Sequence, residues 1–201
     1  MKTIQTPQFL EAFAAEWQAR LQHQREALMS AYCNCRTWTD YMLSYDGGLL
    51  KGVMQRLHPL MDSLDYSKEI YSIDAMFVGG ENLFRNNLCY PSQLQVLIEH
   101  EHGEHVEEEM WKLIFWRASL KVLIFYDWNE DQKGTMNRIS WIDNKLGTLR
   151  TMLGTANSHA PQPDQAEYLF VIGNQETANG DVRWRWTSAD SICEPTLFIG
   201  H

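Results

Sequence analysis

The run 121-KVLIFYDW-128 is apolar at nearly every position. A strand with one wet face alternates apolar and polar residues, whereas an unbroken apolar run marks a strand covered on both faces. A chain carrying such a strand has to lay other elements over both sides of a sheet, which makes it an α/β or α+β protein. Helical patterns flank the run on either side. Residues 104–118 carry the stripe Val106, Met110, Leu113 and Ile114, and residues 135–153 carry Met136, Ile139, Ile142, Leu146, Leu149 and Leu153.

The earlier part of the chain reads as helices first and strands second. Phe9, Phe13, Trp17, Leu21 and Leu28 recur near helical spacing over 8–31, with Pro7 at or before the first turn. The aromatic segment 32–47 ends in Gly47-Gly48 and fits either a short helix or a strand. A helix over 49–62 follows, with Pro59 kinking or ending it. The period then changes. Lys68–Val78 (KEIYSIDAMFV) is strand-like and closed by Gly79-Gly80, a polar insert at 81–92 carries Pro91, and Leu94–Glu101 is a further strand stopped by Gly103. Beyond the second helix, 154–166 (GTANSHAPQPDQA) reads as a linker into strands at 167–173, 181–187 and 196–200, with Asn179-Gly180 as a turn. There is no internal repeat, and the whole of 1–201 is expected to form one domain.

At 23.5 kDa the chain can bury about 70% of its unfolded surface, so its core needs no staples. The four cysteines, at 33, 35, 89 and 193, form neither a disulfide framework nor the paired CxxC of a structural zinc site. They read as free thiols in a reducing compartment. No Arg/Lys-headed apolar leader and no apolar run near 18 residues is present, so a cytoplasmic protein without a membrane span is expected. The net charge of −9 argues against broad attraction to nucleic acid, though not against a local basic groove.

The stretch 97-LIEHEHGEH-105 concentrates carboxylates and imidazoles, and strand alternation divides them. Glu99 and Glu101 share one face with Gln95 and Leu97, while His100 and His102 point to the other. That division weighs against a zinc site, which needs three or four converging ligands. The two carboxylates are a different matter, because unpaired buried charge costs several kcal/mol. A hard divalent ion is one compensation, and Mg²⁺ commonly uses one or two protein carboxylates with water and phosphate. Asp74 interrupts the apolar strand between Ile73 and Ala75 and supplies a third carboxylate, provided that its strand neighbours 94–101.

With those residues in place the chain resembles the PD-(D/E)xK nuclease superfamily, in its E-x-E variant. Asp74 matches the strand acid and Glu99-His100-Glu101 matches the E-x-E, followed by the helix 104–118 and the apolar strand 121–128. The resemblance covers 10–128 as a nuclease-like core and leaves 129–201 as a helix and strands completing or decorating the sheet. It implies a restriction-endonuclease-like fold, helix–strands–helix–strand, with a central mixed sheet flanked by helices. It also implies Mg²⁺- or Mn²⁺-dependent phosphodiester hydrolysis on DNA or RNA, by a possible homodimer or within a larger complex. Asp74 and Glu99 would be ligands together with the His100 carbonyl, and Glu101 would stand where the family has lysine. Glu26, with Glu16 behind it, would be the helix-borne acid. The alternative is a nuclease-like domain without catalysis that serves in interaction.

The lysine's absence from the motif raises the question of which cation replaces it. Lys112 lies opposite the apolar stripe of its helix and reads as solvated. Lys121 opens the next strand and reaches the site only if strand ends align. In 182-VRWRW-186, Arg183 and Arg185 alternate with Trp184 and Trp186, as on a half-buried strand or a nucleic-acid surface. No GxGxxG, P-loop, GxSxG or HExxH pattern occurs.

Overall fold

The computed structural model describes residues 2–61, 63–80, 93–102, 105–127, 135–162, 164–175, 181–191 and 195–199, with the backbone alone at 135–140 and 175. The insert 81–92, the Gly103 turn, Trp128, the Asn179-Gly180 turn, Cys89, Cys193 and the side chains of Met136 and Ile139 lie outside this description.

The fold is mixed α/β. Its described elements run α1 (Thr6–Tyr32), α2 (Cys35–Leu43), α3 (Leu49–Leu57), β1 (Leu64–Ile70), β2 (Ile73–Gly79), β3 (Leu94–Glu101), α4 (Val106–Phe115), β4 (Leu120–Tyr126), α5 (Thr135–His159), β5 (Glu167–Gln175), β6 (Val182–Ser188) and β7 (Thr196–Ile199). The strands form one seven-stranded sheet in sequence order. Every residue of β4 is buried, Lys121 included, and its apolar run from Val122 to Tyr126 is covered on both faces. None of the described helices is long and apolar enough to cross a membrane.

By their internal contacts the residues divide into two units, Met1–Ile98 with Ala118–Leu120, and Glu99–Arg117 with Lys121–His201. In the first, α1 to α3 supply an aromatic core: Phe9 lies 6.2 Å from Phe77 of β2, and Trp17 meets Trp38 edge-on at 6.2 Å. The 32–47 segment resolves as a helix because Asn34 caps it, its side chain accepting from the N–H groups of Arg36 and Thr37. Arg20 is buried and donates to the Gly47 and Gly48 carbonyls, which fixes the turn into α3. Helix α3 ends at Leu57 and gives way to a 3-10 turn at His58–Leu60 around Pro59.

The strand expected over 68–78 is two strands. Tyr71 and Ser72 adopt positive φ of 51° and 62°, and the chain folds back so that Ile70 pairs with Ile73. This two-residue hairpin has the positive-φ pair of a type I′ turn without its usual Asn-Gly, so Tyr71-Ser72 carries no turn signal.

In the second unit, α5 continues to His159, through much of the expected linker. Gly154 sits where a Cβ would meet nothing, so it interrupts no packing, and the helix stops only ahead of Pro161. The core gathers Met110 and Leu113 from α4, Leu146 and Leu149 from α5, and Leu169 to Ile172 of β5. On β6, Val182 and Trp184 are buried, whereas Trp186 is only half-buried.

Candidate metal centre

β2 and β3 are antiparallel neighbours, with Ala75 opposite Ile98. Asp74 precedes Ala75 on β2, and Glu99 follows Ile98 on β3. Glu99 is fully buried and Asp74 half-buried. The third carboxylate comes from the helix that follows β3: one oxygen each of Asp74, Glu99 and Glu109 lie within 4.8 Å of one another. Ligand oxygens on an octahedral ion with bonds near 2.1 Å are about 3 to 4.2 Å apart, so small side-chain rotations close the set. Three hard carboxylates suit Mg²⁺ or Mn²⁺ and do not suit a soft ion.

A lysine stands on the same group. Lys112 Nζ lies 3.7 Å from Glu99 Oε2 and also contacts Glu109, three residues before it on α4. The expectation of a solvated Lys112 is thereby corrected. Its Cα does lie away from the stripe of Val106, Met110 and Leu113, but a helical side chain leans back over the preceding turn, and a four-carbon stem is long enough to carry the ammonium to a buried edge. Glu109 was hidden for a related reason. Three glutamates, Glu107, Glu108 and Glu109, fill the first turn of α4, where the helix dipole alone accounts for them. The usable signal is angular: Glu109 borders the apolar stripe, whereas Glu108 faces solvent.

No family model, no curated protein and no solved structure matches this chain. The site therefore rests on its own chemistry.

The other residues singled out in the sequence fall in different places. Glu101 ends β3 half-buried and is not one of the three converging carboxylates. The His100 ring is buried, with Nε2 2.7 Å from the Tyr126 hydroxyl. Burial, aided by the neighbouring His102, pushes His100 down to about 3, so its imidazole is neutral at pH 7. Glu26 is exposed, beyond a break in α1 at Gln24. Glu16 is the better buried acid of that helix, and Arg20 and Arg56 hold it at 2.8 and 2.9 Å.

Lys121 is fully buried, which corrects its expected reach towards a phosphate. Its ammonium contacts the Asp164 carboxylate and donates to the Tyr168 hydroxyl at 2.9 Å, and the same hydroxyl donates to Asp164 at 2.7 Å. Burial lowers the Lys121 pKa, and Asp164 offsets part of that. Arg185 is paired with Asp127 at 2.9 Å. Arg183 is half-buried beside it in sequence, opposite Asn174 of β5. Cys33 and Cys35 are exposed free thiols.

Proposed function

We propose that Asp74, Glu99 and Glu109 hold a Mg²⁺ or Mn²⁺ ion and that the protein hydrolyses phosphodiester bonds in nucleic acid, as the resemblance to PD-(D/E)xK nucleases implies. The observation that carries this reading is the convergence of three carboxylates with a lysine on the edge of one strand pair. An ion bound there would neutralise phosphate charge and lower the pKa of a bound water. The chain's own residues divide the remaining work. Asp74 and Glu99, each carried on a strand, would set the position of the negative charge. Glu109 completes it from the helix. Lys112 would supply the positive charge that the E-x-E motif lacks, exchanging a carboxylate contact for a phosphate oxygen when substrate arrives. As the resemblance implies, Glu101 would stand near the attacking water and the His100 carbonyl would be a further ligand.

The test is cleavage of single-stranded, double-stranded and branched DNA and RNA with Mn²⁺. Activity that is lost in Glu99→Gln, and reduced by about two orders of magnitude in Lys112→Met, supports the reading. Absence of cleavage on every substrate removes the enzyme.

One observation favours a second reading. The Lys112 ammonium already countercharges the buried Glu99, so the most buried carboxylate of the cluster has a cation beside it without a metal ion. On that reading the domain is a nuclease-like fold without catalysis, used for interaction. Mn²⁺ binding without cleavage would favour it.

A further inference from the structure

Helices α4 and α5 of the second unit enclose a groove of about 720 Å³ whose walls include Trp111, Phe115, Gly147, Thr151 and Met152. Trp111 and Phe115 are the most exposed large apolar side chains among the described residues, at 59% and 66%, and their rings lie 4.4 Å apart. An aromatic pair held together and left in water is an expensive arrangement for a surface with nothing to bind.

The opposite wall is less polar than its residue names suggest. Thr148 donates its hydroxyl to the Asn144 carbonyl and Thr151 donates to that of Gly147, so both hydroxyls are used inside the helix. Between them Gly147 leaves space: a Cβ built there meets nothing within 4 Å. A large side chain from outside can enter at that point.

The groove is also charged at one end. Asp143 lines it, is exposed, and makes no ion pair among the described residues. Glu108, one turn before Trp111, has a side chain 74% exposed, with His105 Nδ1 at 3.3 Å. The nearby Lys145 is taken by Glu107. The groove thus presents the exposed Asp143 carboxylate, with Glu108 on the same side of α4 as Trp111, beside an apolar wall that α4 builds from Trp111, Ile114 and Phe115.

We propose that this groove docks an amphipathic helix of a basic partner protein. Apolar side chains at i, i+3/i+4 and i+7 would pack against Trp111 and Phe115 and over Gly147, and a lysine or arginine of the partner would stand against Asp143 and Glu108. The proposal is independent of the metal centre and survives its failure.

The probe is a fluorescein-labelled synthetic helix of repeating Leu/Lys heptads, compared with its twin carrying Glu in place of Lys and with a scrambled Leu/Lys peptide of the same composition. Fluorescence anisotropy should show saturable binding of the basic helix, at least about tenfold tighter than either control. Trp111→Ala, a surface change whose folding is checked by circular dichroism, should weaken it about tenfold. Asp143→Lys should shift the preference towards the Glu peptide. Equal binding of ordered and scrambled peptides, or binding indifferent to Trp111→Ala, overturns the proposal. So does self-association in sedimentation that Trp111→Ala abolishes and the basic helix fails to displace, because the occupant would then be a second copy of the chain.

Discussion

Lys112 Nζ stands 3.7 Å from Glu99 Oε2 and also touches Glu109, so one ammonium from α4 serves a carboxylate of the strand and a carboxylate of its own helix. Glu99 is fully buried, whereas the Lys112 side chain keeps 27% of its exposure. The pair is therefore neither a screened surface contact nor a fully desolvated one. Removing the lysine leaves a buried carboxylate short of one cation, and Lys112→Met should cost about 2 kcal/mol in urea unfolding of the metal-free protein. Glu99→Gln removes the charge that needs compensating, so the double variant should lie about 1 kcal/mol above the sum of the singles. Additive effects would mean that the two groups do not interact.

His100 sets an acid limit on stability. Its pKa is pushed down to about 3 in the fold by burial first and by His102 second, against 6.5 for an ordinary histidine. A depressed folded pKa means that the unfolded chain takes the proton first. The contribution of this residue is therefore complete above pH 6.5 and is lost as pH falls from there towards 3, at roughly 1.4 kcal/mol per pH unit. Chemical denaturation in EDTA at pH 7, 6, 5 and 4 should show a shallower decline for His100→Gln than for the unmodified protein. Parallel curves would contradict the assignment.

The Lys121–Asp164–Tyr168 group is structural, and its removal should be read in stability alone. Burial works to raise Asp164, but hydrogen bonds from Lys121 and Tyr168 outweigh it and hold the carboxyl below its usual range. Lys121→Ala strands that carboxylate and empties a fully buried site, so a loss of about 3 kcal/mol is expected. Affinity for any nucleic acid should be unchanged where the variant remains folded. A selective loss of nucleic-acid binding would return Lys121 to the functional surface.

The β1–β2 hairpin carries correctable strain. Ser72 sits at φ 62° with an L side chain, a conformation that costs non-glycine residues about 1 kcal/mol. Ser72→Gly should raise stability by about 0.5–1 kcal/mol in thermal or urea unfolding, with spectra unchanged. A destabilising Ser72→Gly would show that the turn is held differently.

This hairpin also shows where sequence reading stops. The strands themselves were legible: β3 spans Leu94–Glu101 as expected, and β4 follows the apolar run because a strand covered on both faces has no other composition available. The Tyr71-Ser72 turn was not, because its backbone conformation is imposed by the pairing of Ile70 with Ile73 and not by residues that favour it. At the site, Asp74 and Glu99 could be paired from periodicity and a neighbouring-strand assumption. Glu109 and Lys112 could not. Their places depend on how α4 is rotated about its axis and on which way a long side chain leans, and neither property is written in a hydrophobic pattern. Lys121 shows the converse: a charged residue at the head of an apolar strand looks like an available cation, and only the position of Asp164, 43 residues later, shows that it is spoken for.

The most direct measurement of the central claim is Mn²⁺ binding, followed by isothermal titration calorimetry and by the loss of free-ion electron paramagnetic resonance signal. One bound ion per chain is expected, with affinity falling about tenfold or more in each of Asp74→Asn, Glu99→Gln and Glu109→Gln, while Glu16→Gln, outside the cluster, leaves it unchanged. Absence of saturable Mn²⁺ binding, or binding that survives all three substitutions, would contradict the account and leave Glu99 and Glu109 as ion-pair partners of Lys112.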